Sequence, residues 1–118
     1  MSGILIKSKH KMITLEDFKK LDIKIGKIIS AEKIPDSDKL VKFIFDIGSE
    51  QRQIIAGIAE FFPDTNALIG KEMPILLNLE PKRLRGNISE GMIIAADVGG
   101  QPIFLHPNKE IPPGSIVR

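Results

Sequence analysis

Pro81-Lys82-Arg83-Leu84-Arg85-Gly86 puts three cations within four residues. Guanidinium groups grip phosphate oxygens in pairs, and a lysine ammonium adds a mobile point charge beside them. Lying between two apolar runs, such a loop can clamp a phosphate backbone. The same residues also suit a solvated connection that keeps the chain soluble, and the loop alone does not choose between the two. Ser89-Glu90-Gly91-Met92 follows directly. A serine hydroxyl can bond a phosphate or a ribose 2′-hydroxyl, and methionine offers a base a flexible apolar surface. Taken alone, a polar turn leading into a core methionine accounts for these four residues better.

Other chemistry finds less support. Asp36 and Asp38 lack the further carboxylates of a cation loop and are explained by a turn at Pro35-Asp36-Ser37-Asp38. His10 and His106 stand apart from any ligand motif. The absence of cysteine excludes disulfides, thiolate metal sites and cysteine nucleophiles, and agrees with a cytoplasmic setting. No phosphate-binding loop, dinucleotide fingerprint or nucleophile elbow occurs, so an enzyme is disfavoured and no cofactor or metal is expected. The aromatic residues are six Phe, with no Trp or Tyr. Phe43 and Phe45 fall on an apolar strand face, while the adjacent Phe61 and Phe62 leave one ring free for stacking. So few platforms favour a structured RNA, recognised by backbone and shape, over an extended single strand.

These groups need a scaffold, and the period of the chain supplies one. Thr14 and Asp17 have capping-box spacing, with Ile13 and Phe18 at the staple positions, which predicts a short helix over 13–21. Residues 22–33 predict a strand, with Gly26 marking a bulge or bend. Residues 40–47 alternate, with Val41, Phe43, Phe45 and Ile47 on one face and Lys42 and Asp46 on the other. Gly48-Ser49-Glu50 turns the chain into a strand over 52–58. A broken segment with one helical turn occupies 59–70, a fourth strand 73–79, the basic loop 80–90 and a fifth strand 91–98. A shorter strand near 102–105 and the turn Pro112-Pro113-Gly114 end the chain. The expected fold is all-β, a five-stranded OB-fold barrel with short flanking helices; an SH3-like barrel or a β-sandwich satisfies the same periodicity.

With 118 residues the chain suits one domain, expected over 12–118 behind a basic extension at 1–11. That extension is either a disordered arm or in part a cloning remnant. Of the 17 basic residues, three (Lys7, Lys9 and Lys11) lie in it, leaving 14 against 15 acidic, a net of −1. Nucleic acid must therefore be bound by a local patch rather than by a global field. No apolar run approaches the roughly 18 residues of a membrane span, and the start lacks the features of a secretory signal.

In order, Asp22-Ile-Lys-Ile-Gly-Lys-Ile28, Pro35-Asp-Ser-Asp-Lys-Leu40, Arg52-Gln-Ile-Ile-Ala-Gly-Ile-Ala59, Asn78-Leu-Glu-Pro-Lys-Arg-Leu-Arg-Gly86, Ser89-Glu-Gly-Met92 and Ile111-Pro-Pro-Gly114 resemble the tRNA-binding domain of methionyl-tRNA synthetases, their separate beta subunits and stand-alone structure-specific tRNA-binding proteins. The resemblance implies an OB-fold homodimer that binds the outside of folded tRNA and assists the synthetase catalytic subunit without catalysing anything itself. It implies a tRNA-facing surface of Asn78, Lys82, Arg83, Arg85, Ser89 and Met92, with Lys39 added from the first turn, and dimer contacts in the N- and C-terminal segments. A peptide-binding, export-related chaperone dimer shares the barrel and is the alternative. That branch usually departs from the Lys82-Arg-Leu-Arg-Gly86 and Ser89-Glu-Gly-Met92 pattern.

Overall fold

Thr14 starts the first helix by accepting a bond from an otherwise orphaned backbone donor. Its Oγ1 accepts from Asp17 N at 3.1 Å, and the Asp17 carboxylate accepts from Thr14 N at 3.2 Å, completing the predicted capping box. Helix α1 spans Leu15–Lys19 in a computed structural model that describes residues 11–118. It is shorter than the 13–21 expected because Asn78 claims the backbone beyond it. The Asn78 amide donates to Lys20 O at 2.6 Å and accepts from Asp22 N at 2.9 Å, turning the chain into the first strand. Ile13 remains 68% exposed, so the expected staple buries little of it. The extension expected at 1–11 lies outside the described residues except for Lys11.

Strand β1 (Ile23–Lys33) is central because it serves two neighbours in turn. Its first half pairs antiparallel with β4 (Glu72–Leu76), from Ile23↔Leu76 to Lys27↔Glu72. Its second half pairs with β2 (Val41–Asp46), from Lys27↔Asp46 to Lys33↔Val41. The register slips between Ile28 and Ser30, so the bulge that bends the strand lies there and not at Gly26. Gly26 answers a packing need instead: a Cβ would stand 2.9 Å from Phe45 Cδ1 and 3.0 Å from Ile75 Cγ1.

Strand β3 (Gln51–Ala56) follows β2 through the predicted turn, and the sheet runs β3-β2-β1-β4-β7, with β7 at Met92–Ile93. Two 3₁₀ turns, Ala59–Phe61 and Thr65–Leu68, replace the single helical turn expected between β3 and β4. The sheet curls until β3 meets the far side, where Glu90 N donates to Gln53 O at 2.8 Å. One sheet rolled onto itself is the expected OB-type barrel rather than a sandwich. Phe43, Phe45, Ile28, Ile54, Met73 and Ile75 fill it, all essentially without solvent exposure.

The fifth strand expected over 91–98 divides. Ile94 N donates to Pro74 O at 3.1 Å, but Pro74 has no N–H to return, so the β4–β7 ladder stops there. The chain leaves as β8 (Ala95–Val98), which pairs with β9 (Gln101–Phe104). The tail then covers the remaining edge of β1, with Ile25 N donating to Ser115 O at 2.9 Å and Val117 N to Ile23 O at 2.9 Å. Substituting Gly26→Val is expected to reduce unfolding free energy by about 1–3 kcal/mol through overpacking. An unchanged midpoint and slope in urea unfolding would show that the core does not require the missing side chain.

Candidate nucleic-acid interface

The cations predicted in a loop sit on a hairpin. Strand β5 (Lys82–Leu84) pairs with β6 (Asn87–Ser89) in the register Lys82↔Ser89, Arg83↔Ile88 and Leu84↔Asn87. Arg85 and Gly86 form the two-residue turn with φ of 50° and 79°. A hairpin turn with both central residues at positive φ suits strand twist and favours Asn-Gly. Arginine is poorly suited to the first position, where a left-handed backbone costs about 1–2 kcal/mol. The Asn87 amide offsets part of this by donating to Arg85 O at 3.2 Å. Lys82, Arg83 and Arg85 are all exposed, and none forms an ion pair with an acid among the described residues.

The hairpin is fixed to the barrel at its base. Ser89 is 5% exposed, and its Oγ accepts from Ile55 N at 2.9 Å while facing Gly91 O at 3.4 Å. The hydroxyl considered for RNA is thus turned into the barrel seam. Gln53 Nε2 donates to Ile88 O at 3.0 Å on the same edge. Arg52, which sequence reasoning passed over as a site residue, spans the two ends of the basic segment: its Nη1 donates to Leu77 O at 2.9 Å and to Glu90 O at 3.1 Å. Glu50 orients it through Nε at 3.1 Å. The spacing of Glu50, just before β3, and Arg52 within it signals a neighbouring pair, but the carbonyls that Arg52 serves lie far along the chain.

Hydrogen bonding to Glu50 raises the Arg52 pKa above its ordinary value, and the bond and charge of Arg52 lower that of Glu50. Because the Glu50 pKa is lowered on folding, its contribution to stability is complete above its ordinary 4.5 and is lost as pH falls through the lower folded value.

The remaining expected residues divide. Met92 follows the hairpin and is 46% exposed. Asn78 precedes the hairpin, with its amide committed to the junction of α1 and β1. Lys39 stands exposed in the turn after β1, where its carbonyl accepts from Ala59 N at 2.9 Å; no hydrogen bond links it to the hairpin among the described residues. The free ring sought at Phe61 or Phe62 is not found: Phe62 stacks on Phe104 with centroids 4.8 Å apart, and Phe61 is half-buried.

Two substitutions separate framework from contact surface. Ser89→Ala strands the Ile55 N–H and is expected to lower unfolding free energy by about 1–3 kcal/mol. Arg85→Asn relieves the turn and is expected to raise the thermal midpoint, by roughly 1 kcal/mol of added stability. Urea and thermal unfolding check both; a lower midpoint for Arg85→Asn would refute the strained-turn assignment.

Comparison with known proteins points the same way. A family model described as "Putative tRNA binding domain" matches residues 23–116. The methionine–tRNA ligase of Archaeoglobus fulgidus is 50% identical over 105 residues, covering 89% of this chain and 16% of that protein. The Enterococcus faecalis methionine–tRNA ligase is 43% identical over 113 residues, covering 94% of this chain and 17% of that protein. The chain therefore spans about a sixth of the length of these relatives. Among solved structures, a MetRS related protein from Pyrococcus horikoshii superposes with a TM-score of 0.86 at 35% identity, covering 92% of this chain and all of that one. Chaperone CsaA from Bacillus anthracis gives 0.80 at 30% identity, with the same coverage. A barrel with this sequence order, matched over nearly its whole described length, belongs to the tRNA-binding domain family.

Proposed function

We propose that the chain is a non-catalytic, cytoplasmic module that grips folded tRNA by backbone and shape and lends that grip to a methionyl-tRNA synthetase. The observation that carries this reading is the set of three exposed cations on an anchored hairpin, none with an acidic partner among the described residues. Lys82, Arg83 and Arg85 contact phosphates, and Met92 lies beside a sugar or base. Lys39 makes an outlying contact from its own turn. Asn78 and Ser89 hold the two ends of the surface from behind. No bond is made or broken: the module raises residence of tRNA near a partner that does the chemistry.

The scarcity of free aromatic rings supports a folded rather than an extended RNA. A homodimer through α1 and the C-terminal segment would present two such surfaces to one tRNA. Leu15, Leu21 and Ile116 are exposed there around a cavity of about 410 Å³, which supports an apolar contact between copies.

The likeness to chaperone CsaA carries a second reading, a dimer that binds unfolded peptide on the same barrel. The bare cations favour the first, because a phosphate backbone satisfies them and an apolar peptide does not.

Filter binding of folded tRNA and of the same RNA unfolded, across a salt series, tests the proposal. The folded form is expected to bind more tightly, with affinity falling as salt rises. Arg85→Ala is expected to weaken binding with little sequence dependence and reduce the salt slope by about 1. Absence of binding to either RNA at low salt would refute the reading, and suppression of client aggregation that tRNA does not relieve would establish the chaperone instead.

A further inference from the structure

Beside the hairpin, the outer wall of the barrel carries an apolar slot that phosphate contacts leave unused. It lies between β3 and the segment from β7 to β9, with Ile54, Ile55, Met92, Ile93, Ala95 and Phe104 among its walls, and encloses about 210 Å³. No charged side chain lines it. Pockets for drug-sized ligands begin near 300 Å³, so the slot admits a single ring system rather than a length of chain. Gly91 stands in the wall at a point where no side chain fits. Its φ is 146°, and a Cβ there would stand 2.9 Å from Leu76 O and 3.2 Å from Ile54 Cδ1.

The position of the slot narrows its occupant. Ile55, in one wall, donates its N–H to Ser89, and Ser89 is the register partner of Lys82. Gly91 and Met92, in the opposite wall, follow Ser89 by two and three residues. The first cation of the hairpin, Lys82, therefore lies roughly two strand spacings away, about 10 Å, a gap that a lysine side chain and one nucleotide span together. A flat aromatic ring attached to an anion matches both features: the ring meets Met92 sulfur and aliphatic walls, while the anion meets the hairpin. An apolar peptide side chain matches the walls but leaves the cations unanswered.

We propose that this slot receives one unstacked nucleobase of a folded RNA whose backbone lies on the Lys82–Arg85 hairpin. This rests on the tRNA-gripping reading above. It adds a base-accepting subsite to surface recognition, so that an RNA displaying an extrahelical base is held more tightly than a uniform helix.

The test uses the full chain, uniformly 15N-labelled and with methyl-labelled Ile, Met and Ala, titrated by NMR with folded tRNA, with AMP, GMP, CMP and UMP, and with a nine-residue apolar peptide. Folded tRNA is expected to shift the methyls of Ile55, Met92 and Ile93 along with the amides of Arg83 and Arg85, and at least one mononucleotide is expected to shift the same methyls. Ala95→Phe plugs the slot and is expected to weaken tRNA binding about five- to ten-fold. The salt slope stays unchanged, since no phosphate contact is lost. Met92→Ala, a change at the exposed lip, is expected to weaken tRNA binding several-fold in the same salt-independent way, which keeps the test decisive if Ala95→Phe disturbs folding. Hairpin shifts from tRNA without slot-methyl shifts would overturn the subsite and leave the phosphate grip standing. Failure of tRNA to bind at all at low salt would overturn both. Slot-methyl shifts from the peptide alone would give the slot to a polypeptide.

Discussion

The arrangement depends on the seam where β3 meets the basic segment. Without it, β3 would be an open edge with unpaired backbone groups, and the hairpin would swing free. One guanidinium, Arg52, donates to Leu77 O at the start of the segment and to Glu90 O at its end. Hydrogen bonds from a charged donor contribute about 1.5–3 kcal/mol each, enough to fix the segment's ends. Ser89 adds a buried latch to Ile55, and Gln53 secures the next carbonyl along. Barrel closure and the placing of three cations are therefore one structural event.

The charge distribution follows a similar logic. Outside the first eleven residues the chain is slightly acidic, so no broad positive field draws RNA to every face. Four of the basic residues outside the hairpin sit beside acids: Lys19 with Glu16, Lys20 with Asp17, Lys27 with Glu110 and Arg52 with Glu50. Exposed pairs of this kind add little stability. Lys24, Lys33, Lys39, Lys42, Lys71, Lys109 and Arg118 have no such partner among the described residues but are scattered, so with screening over about 8 Å at physiological salt the hairpin stands out by the closeness of its three cations in sequence.

What could be read from the sequence was what neighbouring residues decide. The Thr14–Asp17 box, the alternation of Val41, Phe43, Phe45 and Ile47, and the cation cluster are all local patterns, and each reappears in the fold. What escaped was what distant residues decide. The hydroxyl of Ser89 is taken by Ile55, the amide of Asn78 by Lys20 and Asp22, and the guanidinium of Arg52 by Leu77 and Glu90. A polar side chain in a short segment offers its bonds equally to ligand or protein, and only the closed barrel shows which takes them. Gly26 misled for a related reason: the bend it announced lies at Ile28–Ser30, while the glycine makes room for Phe45 across the sheet.

Arg85 breaks the local rule most clearly, since Asn or Gly would hold its turn with less strain. Conflicts between local preference and global fold gather at functional sites, where a strained residue is kept for what it presents. The turn sets the guanidinium at the tip of a two-stranded arm whose base is bonded to the barrel. A flexible loop with the same three cations would avoid the strain, but would lose conformational freedom on binding, at about 0.5–1.5 kcal/mol for each immobilised long side chain and more for its backbone. The hairpin incurs the backbone part of that cost during folding. Under the proposed reading, recognition of the spacing of phosphates on a folded RNA, rather than of charge alone, requires this order of events, because a loop that adapts to any anion discriminates poorly among them.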